Sequence, residues 1–171
     1  WNTHVETAAV IPEVIRKAFK LAEAEKPGAC HIEVPEDVAG ETVEGSPLST
    51  ERPRRPSPDR RALQTAARLI EGASFPLIFA GNGVIRGGAS KELRELARGH
   101  GIPVVHTFMA KGSMPYDDDL SLLSAGLQAR DYISCGFDKA DLIIAVGYDP
   151  VEYAPKFWNP DRKKPIIHVD F

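Results

Sequence analysis

Cysteine is scarce in this chain, and positive charge is not in excess. Its 171 residues include two cysteines, Cys30 and Cys135, far apart in the sequence. We expect reduced core thiols in a cytoplasmic protein, with a disulfide as the less favoured alternative. The net charge of −3 provides no general attraction to nucleic acid or to acidic membranes. No apolar run approaches the roughly 18 residues of a transmembrane helix, so the sequence predicts no membrane partner.

The usual motifs for nucleotide, metal and nucleophilic chemistry are also missing. The sequence contains no Walker motif, because Gly112 follows Lys111 in the wrong order. The second predicted strand ends in Thr107-Phe108, not in the acid that holds the ribose in NAD enzymes. Asp117-Asp118-Asp119 is interpreted as a solvated loop, since three adjacent carboxylates do not converge easily on one cation. We predict no catalytic and no metal-binding residue.

The histidines show no metal-ligand spacing with one another or with cysteine. They are His4, His31, His100, His106 and His168. Two of them, His106 and His168, fall on predicted strands, where a structural role is the simpler explanation.

The first 58 residues combine a helical pattern with a linker. Apolar spacing predicts a largely buried helix over Glu6–Ala24, with Pro12 in its first turn, and a strand over Ala29–Val34. No partner strand is predicted upstream of that strand. Asp37–Pro58 has the composition of a linker. The arginines Arg52, Arg54, Arg55, Arg60 and Arg61 cluster there, and a solvated linker is favoured over a nucleic-acid patch because no aromatic residues are interleaved.

The remaining chain alternates predicted helices with apolar strands. One helix is expected to begin with Ser57 as N-cap and Pro58 at its first position, and to bury Ala62, Leu63, Ala66, Ala67 and Ile70. Further helices are predicted over Lys91–Arg98 and Gln128–Phe137, and strands over Phe75–Ala80, Pro103–Thr107, Leu142–Val146 and Ile166–Asp170. This alternation predicts an α/β fold with three layers, a mostly parallel sheet covered by helices on both faces.

A glycine-rich turn follows the first of these strands. Residues Gly81, Gly83 and Gly87 have the spacing G-x-G-x-x-x-G, which departs from the dinucleotide fingerprint. Ligands of parallel sheets bind beyond the carboxyl ends of the strands. A phosphate site and a tight turn without a ligand are therefore both open explanations of these glycines.

Several blocks in order resemble one enzyme family. KPGACHIEVPEDV (Lys26–Val38), FPLIFAGNGV, IPVVHTFMAKGSMP (Ile102–Pro115), ADLIIAVGYDPVEYAPKFW (Ala140–Trp158) and IIHVDF are similar to thiamine diphosphate-dependent enzymes of the acetolactate synthase type. The GYDPVEYAPKFWN block looks most like the catabolic, flavin-independent branch. The resemblance implies the Rossmann-like central domain of these enzymes.

The resemblance also implies a domain organisation, truncated at both ends. Residues 1–38 would be the last helix and strand of the pyrimidine-binding domain, residues 39–58 a linker, and residues 59–171 an incomplete central domain. The cofactor-activating glutamate would lie upstream of Trp1 and the Gly-Asp-Gly magnesium motif in a third domain. No such tripeptide occurs here.

The expected function is therefore that of a fragment. The full-length enzyme would use thiamine diphosphate and Mg²⁺ to join two molecules of pyruvate, a 2-keto acid, into 2-acetolactate and CO₂. It would act as a homodimer or homotetramer. This chain, packed against the rest of its own polypeptide, would be structural and inactive alone.

The resemblance also points to a pocket in the central domain. Its residues, where flavin-using relatives approach the adenine dinucleotide, are Gly81, Asn82, Gly83, Thr107, Met109, Lys111, Gly147, Tyr148 and Asp170. Flavin users usually carry an arginine just beyond the glycine that matches Gly147, where this chain has Tyr148-Asp149-Pro150, and often a histidine where it has Ala125. The resemblance therefore implies a vestigial nucleotide pocket without tightly held FAD.

Two other classes of function compete with this one. The glycines of the sheet's carboxyl edge also suit a nucleotide-binding regulatory or sensor module. A sirtuin-like deacylase shares the general architecture, but its catalytic histidine motif and zinc cysteines are absent.

Overall fold

The chain packs as two units. The computed structural model describes residues 1–50, 56–126 and 133–171, and its two units are Trp1–Pro56 and Ser57–Phe171. The strands are β1 (Asn2–His4), β2 (His31–Glu33), β3 (Pro76–Ala80), β4 (Val104–Thr107), β5 (Ser121–Ala125), β6 (Leu142–Val146) and β7 (Ile166–Val169). The helices are α1 (Ile11–Glu23), α2 (Glu36–Ala39), α3 (Arg60–Gly72), α4 (Asn82–Arg86), α5 (Ser90–His100) and α6 (Ser134–Lys139).

The first unit is a small βαβ arrangement. Strand β1 pairs in parallel with β2, so the prediction that β2 has no partner upstream is wrong. The strand escaped notice because its residues, Asn2-Thr3-His4, have no apolar alternation. Val5, Ala8 and Val38 form the buried core of this unit.

Helix α1 is correctly placed but less buried than predicted. Pro12 lies in its first turn as expected, and a short 3₁₀ turn at Ala8–Val10 precedes the helix. Only Ala18 is buried along it, whereas Phe19 is 54% exposed. A two-stranded sheet covers too little of the helix surface to bury the wide apolar stripe.

The linker begins with a short helix. Helix α2 occupies Glu36–Ala39, and residues 40–50 form neither helix nor strand. The arginines Arg52, Arg54 and Arg55 lie outside the described residues.

The second unit is built on a parallel sheet with the strand order β5-β4-β3-β6-β7. All four pairings are parallel, and β3 pairs with β6 over its whole length. Helices lie on both faces, which confirms the predicted α/β architecture. Strand β5 was not predicted, because its sequence SLLSA is short and half polar. Helix α6 overlaps the predicted helix Gln128–Phe137 only from Ser134 onward and ends two residues later, at Lys139; residues 127–132 lie outside the described part.

Alternate residues of β3 supply the two halves of the core. Leu77 and Phe79 point into a cluster with α6 and the loop after β6, while Ile78 and Ala80 join a cluster with α4 and α5. All four side chains are 0% exposed. A strand buried on both faces explains the continuous apolar sequence of β3.

Helix α3 corrects two details of the prediction. Its N-cap is Asp59, whose carboxylate accepts the N–H of Ala62 at 3.1 Å, and not Ser57. No residue of α3 is fully buried; Leu63 is 53% exposed, and Ile70 is partly buried against the core. The predicted stripe therefore touches the sheet only at its end.

Helix α5 ends two residues later than predicted. It continues through Gly99 to His100, and Gly101 closes it with a left-handed φ of 64°. Such a residue after the last turn is a common helix terminus, and glycine adopts it without strain.

The thiols and the acidic loop also differ from the expectation. Cys30 and Cys135 are free, but Cys30 is only half-buried and Cys135 is exposed, so neither is a core thiol. Asp118 accepts two hydrogen bonds from Arg98, at 2.8 and 2.9 Å, so the acidic loop is bound to α5 and not merely solvated.

Asp141 fixes the start of β3. Its carboxylate accepts the N–H groups of Ser74 at 2.7 Å and Phe75 at 2.9 Å. These hydrogen bonds hold the pKa of the carboxyl below its usual 3.8. A carboxyl with a lowered folded-state pKa stabilises the fold above the unfolded value and loses this contribution as the pH falls through the folded value.

We therefore expect Asp141→Asn to lower the free energy of unfolding at neutral pH and to flatten its decline below about pH 4. Urea unfolding at a series of pH values measures both effects. Asp161→Asn, on an exposed turn, is the matched control. Parallel pH curves for the wild type and Asp141→Asn would contradict the assignment.

Candidate functional site

The carboxyl edge of the sheet is closed by contact between two glycine-containing loops. Gly81 follows β3 and caps α4, and Gly147 follows β6. The N–H of Gly83 donates to the carbonyl oxygen of Gly147 at 2.8 Å. A Cβ on Gly83 would lie 2.6 Å from the Cα of Gly147, and one on Gly81 would overlap the Gly147 carbonyl. These glycines allow two backbones to touch.

Gly147 is restricted by its conformation as well. Its φ is 57°, in the left-handed region, and a Cβ there would lie 2.5 Å from the amide nitrogen of Val84. Side chains are therefore excluded at Gly147 for two independent reasons.

A carboxylate joins the ends of β3 and β4. The N–H of Asn82 lies 3.1 and 3.2 Å from the two carboxylate oxygens of Glu152, and the hydroxyl of Thr107 donates to the same group. Glu152 belongs to the loop after β6. The position where a bound phosphate would accept a backbone N–H is thus occupied by a side chain of the protein itself.

The structure brings together five of the nine predicted pocket residues. Gly81, Asn82, Gly83, Thr107 and Gly147 meet around the glycine contact and Glu152.

The other four predicted pocket residues have different surroundings. Met109 is half exposed in a 3₁₀ turn that packs against α4. Asp170 accepts the N–H of Phe171 at 2.9 Å and lies 3.8 Å from His168. Lys111 lines a separate cleft, and Tyr148 turns into the core.

Tyr148 belongs to an aromatic cluster on one face of the sheet. Its ring centroid lies 4.6 Å from that of Phe79, its hydroxyl donates to the carbonyl of Tyr153, and it accepts the indole N–H of Trp158 at 3.1 Å. Burial raises the pKa of Tyr148 to about 12. The phenol is therefore a neutral structural group at ordinary pH.

The Lys111 cleft has a volume of about 420 Å³. His106, 4% exposed, lines it together with Met114, Leu123 and Ser124. The Nδ1 atom of His106 lies 3.0 Å from the carbonyl oxygen of Thr107 and 3.2 Å from the hydroxyl of Ser124. These contacts fit the structural role predicted for His106.

Comparison with known proteins identifies the family. The family model described as thiamine pyrophosphate enzyme, central domain, matches residues 63–171. The chain belongs to this family.

Curated relatives agree with the family assignment. The chain is 36% identical to an acetolactate synthase of Mycobacterium leprae, over 99% of the chain and 28% of the relative. It is 30% identical to an acetolactate synthase of Bacillus subtilis, over 99% of the chain and 30% of the relative. The chain thus spans under a third of the length of these relatives.

A solved structure shares the fold. A Mycobacterium smegmatis protein assigned to the thiamin diphosphate-dependent enzymes superposes with a TM-score of 0.68, over 88% of this chain and 29% of its own. Its sequence identity is 23%.

The described residues contain no cluster of metal-binding side chains. Among the described residues, no group of three or more histidine, cysteine or acidic side chains could hold a metal ion. The sequence also lacks a Gly-Asp-Gly tripeptide. In the described part of the chain, no helix is long and apolar enough to cross a membrane.

Sequence reasoning missed Glu152. The available signal was the presence of two acids, Asp149 and Glu152, shortly after the Gly147 that ends a buried strand. The loop conformation that directs the Glu152 carboxylate toward Asn82 depends on the tertiary structure.

We expect Gly147→Ala to lower the free energy of unfolding by at least about 2 kcal/mol, since it combines a left-handed φ with a backbone overlap. Urea unfolding measures the change. Gly72→Ala, where a Cβ meets nothing within 4 Å, is the control and should shift stability by less than about 1 kcal/mol. Equal effects of the two substitutions would contradict the packing role.

Proposed function

We propose that this chain is part of a thiamine diphosphate-dependent transferase of the acetolactate synthase type. The observation that carries the proposal is the similarity to acetolactate synthases over 99% of the chain, at 30–36% identity. The whole protein joins two molecules of pyruvate into 2-acetolactate with release of CO₂. Thiamine diphosphate, held with Mg²⁺, supplies the electron sink that this decarboxylation needs.

The contribution of this chain is structural. Its carboxyl-edge residues contact one another, and the aromatic cluster below them is neutral and buried. The Glu152 carboxylate is bound by Asn82 and Thr107, and the described residues form no metal site. The chain alone is therefore catalytically inactive, and it acts with the rest of its own polypeptide in a homodimer or homotetramer in the cytoplasm.

The flavin-independent branch fits the pocket best. The loop after Gly147 carries Asp149 and Glu152, and the Glu152 carboxylate reaches Asn82 and Thr107 at the ends of β3 and β4. A carboxylate at this position disfavours a diphosphate in the same space by charge repulsion. The same observation weighs against a nucleotide-binding regulatory module.

The activity is tested with the full-length protein and with this chain alone. Full-length protein with pyruvate, thiamine diphosphate and Mg²⁺ should release CO₂ and form 2-acetolactate, and omission of the cofactor should abolish both. This chain alone should give no product and no calorimetric signal with the cofactor. Micromolar cofactor binding by this chain would contradict its structural role, and a full-length protein inert toward pyruvate would overturn the activity.

The absence of flavin is tested by the visible spectrum of the purified full-length protein. We expect no stoichiometric band near 450 nm (an approximate flavin value), because the pocket has lost charge-assisted contacts worth about 1.5–3 kcal/mol each. A stoichiometric band would place the protein in the flavin-dependent branch.

A further inference from the structure

We propose that Glu152 is the residue that excludes nucleotides from the carboxyl edge of the sheet. The side chain acts as an internal substitute for a phosphate group. The inference rests on the flavin-free form of the proposed function and deepens it, since it assigns the exclusion to one carboxylate.

The donors that Glu152 occupies are the donors that a phosphate would need. Both carboxylate oxygens of Glu152 lie within 3.2 Å of the backbone nitrogen of Asn82, and the Thr107 hydroxyl donates to the same carboxylate. A backbone N–H after a strand and a threonine hydroxyl are common phosphate ligands. A nucleotide would therefore have to displace a carboxylate that is already hydrogen-bonded.

The loop that carries Glu152 holds it in place. The N–H of Glu152 donates to the Asp149 carbonyl at 2.9 Å, and the Asp149 carboxylate accepts the N–H of Val151 at 3.1 Å. The next residue, Tyr153, is 7% exposed within the aromatic cluster. Because its own turn and its neighbour are fixed, the Glu152 carboxylate is positioned before any ligand arrives.

Space and charge act in the same direction. Gly83 and Gly147 are in backbone contact, so the turn has no room to move aside on that flank. A carboxylate beside a phosphate adds repulsion between like charges, and it also removes the hydrogen bonds that the phosphate would gain. Removal of the Glu152 side chain eliminates the repulsion and leaves the donors of Asn82 and Thr107 free, while the glycine contact remains.

The experiment uses the full-length protein and its Glu152→Ala and Glu152→Gln variants. Binding of FAD, ADP and adenosine is measured by calorimetry, together with the melting temperature. We expect the wild type to bind none of them measurably, and Glu152→Ala to bind ADP and FAD at least about tenfold more tightly than the wild type. Adenosine should show no gain, because it lacks the phosphate.

Glu152→Gln keeps the size of the side chain and removes its charge, so it carries the test if Glu152→Ala does not fold. A gain of ADP binding in this variant supports exclusion by charge. Glu95→Gln, an exposed glutamate on α5 that pairs with Lys91, is the matched control and should behave as the wild type.

Two results would overturn the inference. The first is that the Glu152 variants fold but bind ADP and FAD no more tightly than the wild type does. The flavin-free function would then stand, but Glu152 would not be its cause. The other is a wild type that already binds FAD or ADP tightly, which would refute the exclusion and the flavin-free branch together. Turnover of pyruvate, assayed in the same preparations, reports separately on the proposed activity.

Discussion

The backbone contact between Gly83 and Gly147 is the constraint on which the second unit depends. It brings the turn after β3 against the turn after β6, and no space for a side chain remains between the two backbone segments. The contact sets where α4 begins, and it places the loop after β6 so that its glutamate reaches the end of β4. In nucleotide-binding proteins, glycines after a strand let a ligand approach the backbone. Here Gly83 and Gly147 instead let two turns of the same protein touch.

The charges of the second unit are used to fix loops to strands. The Asp141 carboxylate accepts hydrogen bonds from two backbone N–H groups just before β3. The Asp118 carboxylate binds Arg98 of α5, and the Glu152 carboxylate accepts the backbone N–H of Asn82 just after β3. Each carboxylate satisfies backbone or guanidinium donors that no regular element would satisfy. The unit therefore connects its loops and strands by hydrogen bonds between residues far apart in the sequence.

The central strands and the edge strand β7 were predictable from the sequence, whereas the edge strand β5, the burial of the helices and the role of Glu152 were not. Strands β3 and β6 are buried on both faces, so their apolar runs are unambiguous. Strand β5 lies at an edge, and its sequence SLLSA carries little pattern. The burial of Leu63 depends on what covers α3, a tertiary property. Ser57 and Asp59 are both good caps, and local sequence does not choose between them. Glu152 lies 70 residues from Asn82 in the sequence, beyond the reach of any local pattern.

The pairing of β3 with β6 has a consequence for the chain as it is made. Strand β3 meets β4 soon after synthesis, but its other edge waits for β6, roughly 65 residues later. At about 5–20 residues per second, the ribosome takes several seconds over that interval. Throughout it, one edge of the most apolar strand in the domain is unpaired beside a growing chain. Nascent chains on the same messenger RNA could pair with one another at this free edge of β3. The need for chaperones should therefore be greatest before β6 leaves the ribosome.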